Sequence, residues 1–142
     1  VVFDNTGEFW TFSITSPEPI TTLRVMLAWT DAPGHGLGGS SSAWVNDLDL
    51  IVTVGANTYL GNIFGVDGLS ISGGLPDNKN NTEAVFLENL PAGAYTFTVR
   101  AAAINGDGVP QWGDITDQDF ALVIYASRNV LSESVRLPIF FH

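Results

Sequence analysis

The sequence contains no cysteine. That excludes disulfide crosslinks, thiolate zinc sites and a cysteine nucleophile. It leaves an extracellular setting open, because an ion that binds only the folded state stabilises it by mass action in place of crosslinks. Basic residues are scarce: five Lys and Arg stand against fifteen Asp and Glu, for a formal net charge of −10. Phosphate contacts need cationic side chains, so nucleic acid and anionic membrane surfaces are not expected as partners, whereas divalent cations are favoured. The two histidines, His35 and His142, are too few for a histidine zinc site. No apolar run approaches the ~18 residues of a membrane span. No charged-then-apolar leader is present either, and the chain, which opens on Val1-Val2, is read as a mature piece of a longer protein.

Against these absences, 45% of the 142 residues are hydrophobic and only 14% charged, a composition that builds a packed core within one domain. The stretch Ala43–Val54 sets the pattern. Leu48, Leu50, Val52 and Val54 share one parity, and Asp47, Asp49, Ile51 and Thr53 share the other. A period of two predicts a strand with one face in a core. Similar alternation predicts strands at 8–14 (Trp10, Phe12, Ile14 inward), 21–30 (Leu23, Val25, Leu27, Trp29 inward), 58–62, 83–88, 94–103 (Tyr95, Phe97, Val99, Ala101 inward) and 119–126. In the 21–30 strand, Met26 and Ala28 make the second parity apolar too, which predicts cover on both faces. Pro17 and Pro19 break the chain after the first strand, and Asn89-Leu90-Pro91-Ala92-Gly93 forms a turn. Long loops fall at 31–42, 63–82 and 105–118. No 3.6-residue stripe lasts three turns. The expected fold is all-β: an antiparallel sandwich of about eight strands, of jelly-roll or Greek-key type, over residues 1–127, with a tail at 128–142 packed on the sandwich or on a neighbour.

The polar parity of the central strand opens with Asp47 and Asp49 beside Asn46. Two carboxylates on one face of a strand repel, and a hard cation such as calcium, which takes oxygen ligands, offsets that repulsion. The same two acids also fit a strand end facing water. Asp31, Asp77, Asn80, Asn81 and Glu83 lie at other expected strand ends, where loops folded over one end of a sandwich would bring them toward Asp47 and Asp49. Asp114, Asp117 and Asp119 form a second acidic group, while Asp67-Gly68 and Asp107-Gly108 read as turns. None of these fits an EF-hand loop or the glycine-aspartate repeat of calcium β-helices. The Gly34–Gly39 run matches G-x-G-x-x-G but leads to a strand instead of a helix, which excludes a dinucleotide site.

Six motifs in order then carry a resemblance. They are Leu27-Ala28-Trp29-Thr30-Asp31-Ala32-Pro33-Gly34, Val45-Asn46-Asp47-Leu48-Asp49-Leu50, Tyr59-Leu60-Gly61-Asn62, Asp77 with Asn80-Asn81-Thr82-Glu83, Gly93-Ala94-Tyr95-Thr96, and Gln118-Asp119-Phe120-Ala121-Leu122-Val123. Over residues 8–126 the chain resembles the pre-peptidase-C/P-domain-like β-sandwich that follows the catalytic domain in secreted subtilisin-like serine proteases. The residues themselves offer Asp31, Asn46, Asp47, Asp49, Asp77, Asn81 and Glu83 as calcium ligands, and the resemblance implies a jelly-roll that often holds calcium, an extracellular setting with a bacterial source expected, and a catalytic domain of the same parent chain as partner. It implies no catalytic residues here: the Gly-Thr-Ser that carries the nucleophile is absent, and the two histidines cannot complete a triad. Two alternatives stay open. One is a module that carries an enzyme to insoluble protein or polysaccharide through Trp44 and Trp112; the other is a cell-surface adhesion module.

Overall fold

The computed structural model describes residues 1–34, 44–128 and 139–141. Its ten strands are β1 (Val2–Phe3), β2 (Phe9–Ser16), β3 (Ile20–Ala28), β4 (Asp47–Val54), β5 (Asn57–Leu60), β6 (Thr82–Leu90), β7 (Gly93–Ala103), β8 (Gln118–Asp119), β9 (Ala121–Ser127) and β10 (Ile139–Phe141). They form two four-stranded antiparallel sheets, β10-β9-β3-β6 and β2-β7-β4-β5, with β1 and β8 paired beside them. Apart from the β4–β5 hairpin, the chain changes sheet at each step from β2 to β7, the crossing order of a Greek-key sandwich.

Parity builds the core. Leu23, Val25 and Leu27 of β3, Val85 and Leu87 of β6, and Leu122 and Ile124 of β9 meet Leu48, Leu50, Val52 and Val54 of β4 and Tyr95, Phe97, Val99 and Ala101 of β7, all buried. The register holds these side chains level: Leu50 stands opposite Val99 and Val52 opposite Phe97. Trp10, Phe12 and Ile14 pack on this core half-buried.

The structure departs from the expected elements in places with local causes. The outer face of β3 is open, with Met26 48% exposed, so this strand is covered on one face and not two. It stops at Ala28, where the Trp29 backbone turns to exchange hydrogen bonds with Asn81. The expected 119–126 strand is broken at Phe120, which turns inward to stack on Phe3 at 5.4 Å and to meet Trp10 at 6.0 Å. That inward turn separates β8 from β9 and gives β1 its place. The fifth strand ends at Leu60, because Asn62 adopts φ 61°, a left-handed conformation that Asn tolerates better than most side chains. Of the tail, Ile139–Phe141 add a strand to β9, with Ile139 opposite Ile124, so pairing continues beyond residue 127. His35, His142 and most of the Gly-Ser loop lie outside the described residues.

Candidate metal centre at one rim of the sandwich

β5 pairs only with Ile51–Val54, which leaves the Asp47–Leu50 half of β4 without a strand on that side. Two groups fill the gap. Gly61 N–H donates to Leu50 O at 2.9 Å, and Glu83 Oε2 accepts from Leu50 N–H at 2.5 Å. Glu83 shares its parity with Val85 and Leu87, so its carboxyl enters from the core side of β6 and is 1% exposed. It passes over Gly61, where a Cβ would lie 2.2 Å from Oε2. Gly61→Ala therefore forces Glu83 off Leu50; the expected cost is about 1–3 kcal/mol of unfolding free energy, measured by denaturant titration.

Asp47 and Asp49 stand on the parity of β4 opposite to Leu48 and Leu50 and are 7% and 2% exposed. Their parity was expected to be the polar one, but it is not a wet one. Arg100, opposite Asp49 on β7, places Nη2 2.9 Å from Asp49 Oδ2 in an ion pair. Asp49 Oδ1 and Glu83 Oε1 are buried with no hydrogen-bond partner. Burial raises the Asp49 carboxyl, with Arg100 working against it. Burial first, then the charges of Asp49 and Asp77, push Asp47 to about 6. Burial pushes Glu83 to about 8; the Leu50 N–H opposes this, and the charges of Asp49, Asp77 and Asp47 add to it. Asp47, Asp49, Asp77 and Glu83 thus share one electrostatic neighbourhood, with Asp31 adding to the field at Asp47 and Arg100 paired into it.

Asp77 belongs to the loop before β6. Asn62 Nδ2 and Asn80 Nδ2 donate to its Oδ2 at 2.7 and 2.6 Å, and Lys79 N–H to its Oδ1 at 3.0 Å. Burial raises this carboxyl, but the three hydrogen bonds and the Lys79 charge outweigh it and leave it below its ordinary value. Asn62 also ties the loop to β6, donating to Thr82 O and accepting from Ala84 N–H.

The remaining expected ligands do mechanical work beside the cluster. Asp31 accepts from Val45 N–H and Asn46 N–H at 2.8 and 2.7 Å, clamping the start of β4. Asn81 Nδ2 donates to Trp29 O. Asn46 is fully buried: its Oδ1 accepts from Asn105 and Gly106 N–H, and its Nδ2 lies 2.9–3.1 Å from Gly106 O, Asp117 O and Gln118 Oε1. Gln118, also fully buried, passes the network on to Thr30 O and Asp119 O. The structure thus brings Asp47, Asp49, Asp77 and Glu83 into one field and uses Asp31, Asn46 and Asn81 to hold the loops around them. Among the described residues, no three acidic or histidine side chains already converge as a finished metal cage. Gly61, Asn62 and Gln118 were not expected to take part. The first two stand in the Tyr59–Asn62 motif and the third in the 118–123 motif, but strand periodicity says nothing about a contact made between loops.

The donor set nevertheless fits calcium. It is all oxygen, it is anionic beyond its protein counter-charge, and it includes two orphaned buried carboxylate oxygens. Elsewhere, Trp112 is 70% exposed, whereas Trp44 is half-buried, so the two expected polymer-binding tryptophans differ in their access to solvent. In the second acidic group, Asp117 is fully buried and Asp114 and Asp119 are exposed. No protein-family model and no curated protein sequence matches the chain.

Proposed function

We propose that this domain is a non-catalytic, calcium-binding C-terminal module of a secreted subtilisin-like serine endopeptidase, and that it stabilises the protease it follows. The observation that carries the calcium reading is the pair of partnerless buried oxygens, Asp49 Oδ1 and Glu83 Oε1, in a field made more negative by Asp47 and Asp77. An isolated buried carboxylate neutralises itself with a proton or with a cation. A calcium ion needs six to eight oxygens at roughly 2.3–2.6 Å, which Asp47, Asp49, Asp77 and Glu83 supply in part and water completes.

The ion ties β4 of one sheet to β6 of the other at the end where the loops gather, so its binding free energy adds to folding stability. The link to a protease rests on the six ordered motifs. The non-catalytic assignment rests on the sequence, which offers no triad. In an extracellular setting the gain would be resistance of the parent chain to unfolding and self-digestion.

Titrating calcium into chelator-treated protein by calorimetry tests the site. Saturable binding is expected, weakened at least tenfold, about 1.4 kcal/mol, by Asp49→Asn and by Glu83→Gln. Absence of binding heat in a correctly folded sample would remove the calcium reading.

A further inference from the structure

A second set of observations, independent of the β4–β6 rim, lies in the loop between β7 and β8. Asp107 and Asp117 are bridge partners in a short parallel contact. Gly108 N–H donates to Asp117 O at 2.8 Å and Asp117 N–H to Gly106 O at 3.2 Å. Bridge partners present their side chains on the same side, so Asp107 and Asp117 leave the backbone together. Asp117 is fully buried. Its Oδ1 accepts from Val109 N–H at 3.0 Å, but its Oδ2 has no partner. Asp107 Oδ1 is also buried and partnerless.

The direction of Asp117 is fixed by Gly113, whose φ is +76° and whose absent Cβ would stand 3.2 Å from Oδ2. The orphaned oxygen therefore lies beside the backbone of Gly113. Among the described residues no positive side chain pairs with it. The sequence holds no Lys, Arg or His between Arg100 and Arg128, and among the described residues neither Asp107 nor Asp117 enters an ion pair. Two buried carboxylates with one unmet oxygen each are neutralised by a proton or by a cation, and carboxylate oxygens select a hard divalent ion over zinc or copper.

We infer that Asp107 and Asp117, with water completing the shell, form a second divalent-cation site of the calcium class. Occupancy locks this loop against β8. It also bears on the first rim, because the Asp117 carbonyl and Gln118 both hold the Asn46 amide at the head of β4.

The test is calorimetric stoichiometry with calcium on the whole chain. The wild-type protein is expected to bind in two classes. Asp117→Asn and Asp107→Asn each remove one class and leave the other. The Asp49→Asn/Glu83→Gln double variant removes the complementary class, so failure of the rim site and failure of this one are read separately. Asp107, half-buried, carries the test if Asp117→Asn does not fold. Terbium substituted for calcium adds a second readout, because Trp112 adjoins Gly113 in the chain. Trp112→Phe is expected to lower tryptophan-sensitised emission and leave the stoichiometry unchanged. Wild-type stoichiometry in folded Asp107→Asn or Asp117→Asn would overturn the assignment.

Discussion

In the presence of a chelator, the melting temperature is expected to fall as the pH is raised from about 5 to about 8, by roughly 5–10 °C, and saturating calcium is expected to abolish or reverse that fall. The sign follows from two carboxyls that bind protons more tightly in the folded state than in the unfolded chain. Asp47 rises from an ordinary 3.8 to about 6, and Glu83 from 4.5 to about 8. The stability they contribute is fully present below the ordinary values and is lost as the pH climbs through about 6 and then through about 8. A tenfold gain in proton affinity on folding corresponds to about 1.4 kcal/mol, so the two groups together are worth on the order of a few kcal/mol. Calcium takes the place of the protons and binds the ionised forms, so its stabilisation grows with pH. Thermal melts at several pH values, with and without calcium, measure both slopes. Parallel curves under the two conditions would contradict the assignment of these acids to a cation. Glu83→Gln, a neutral isostere, is expected to flatten the slope in chelator and to weaken the response to calcium.

The second large effect is expected from Asn46→Ala. This amide is fully buried and connects three segments: its own, the 105–106 turn and the 117–118 segment. Truncation leaves the N–H groups of Asn105 and Gly106 and the Gln118 side-chain oxygen short of their partners. Each unsatisfied buried group costs about 1–3 kcal/mol, so a loss of ~4 kcal/mol or more is expected, among the largest effects of a single substitution. Asn46→Asp is expected to fall in the same range, since it replaces a donor with a charge facing the carbonyls of Gly106 and Asp117. Denaturant unfolding of both variants measures the loss. A change below about 1 kcal/mol would mean that the loops hold β4 by other means.

Much of the sandwich was legible because its core follows a period of two. Leu48, Leu50, Val52 and Val54, and the Tyr95–Ala101 series opposite them, are buried as their alternation requires. Periodicity lost its force where side chains are aimed by contacts distant in sequence. Phe120 sits within an otherwise alternating run, yet its stacking on Phe3 splits that run in two. Met26 looks like a core residue by type but lies on a face that no layer of the described residues covers.

The acids show the same division. Adjacent carboxylates on β4 were visible as a charge problem, and loops gathering at one end of a sandwich were a fair geometric expectation. The way Glu83 enters was not visible. Its parity assigns it to the core, and only a missing Cβ at Gly61, in another loop, lets its carboxyl reach Leu50. Asn46, which composition alone groups with the other oxygen donors, has its amide committed to five backbone and side-chain partners. The sequence presents both as polar residues near acids, and only tertiary neighbours separate a tether from a ligand.

The most direct measurement is a crystal structure of the protein grown with calcium at pH 8, with anomalous differences used to locate the ion. An anomalous peak is expected within ~2.6 Å of Asp49 and Glu83 oxygens, with Asp47 or Asp77 completing the shell directly or through water. Well-ordered density in which Asp49 and Glu83 stand apart, each bound only to its own water molecules and with no peak between them, would contradict it.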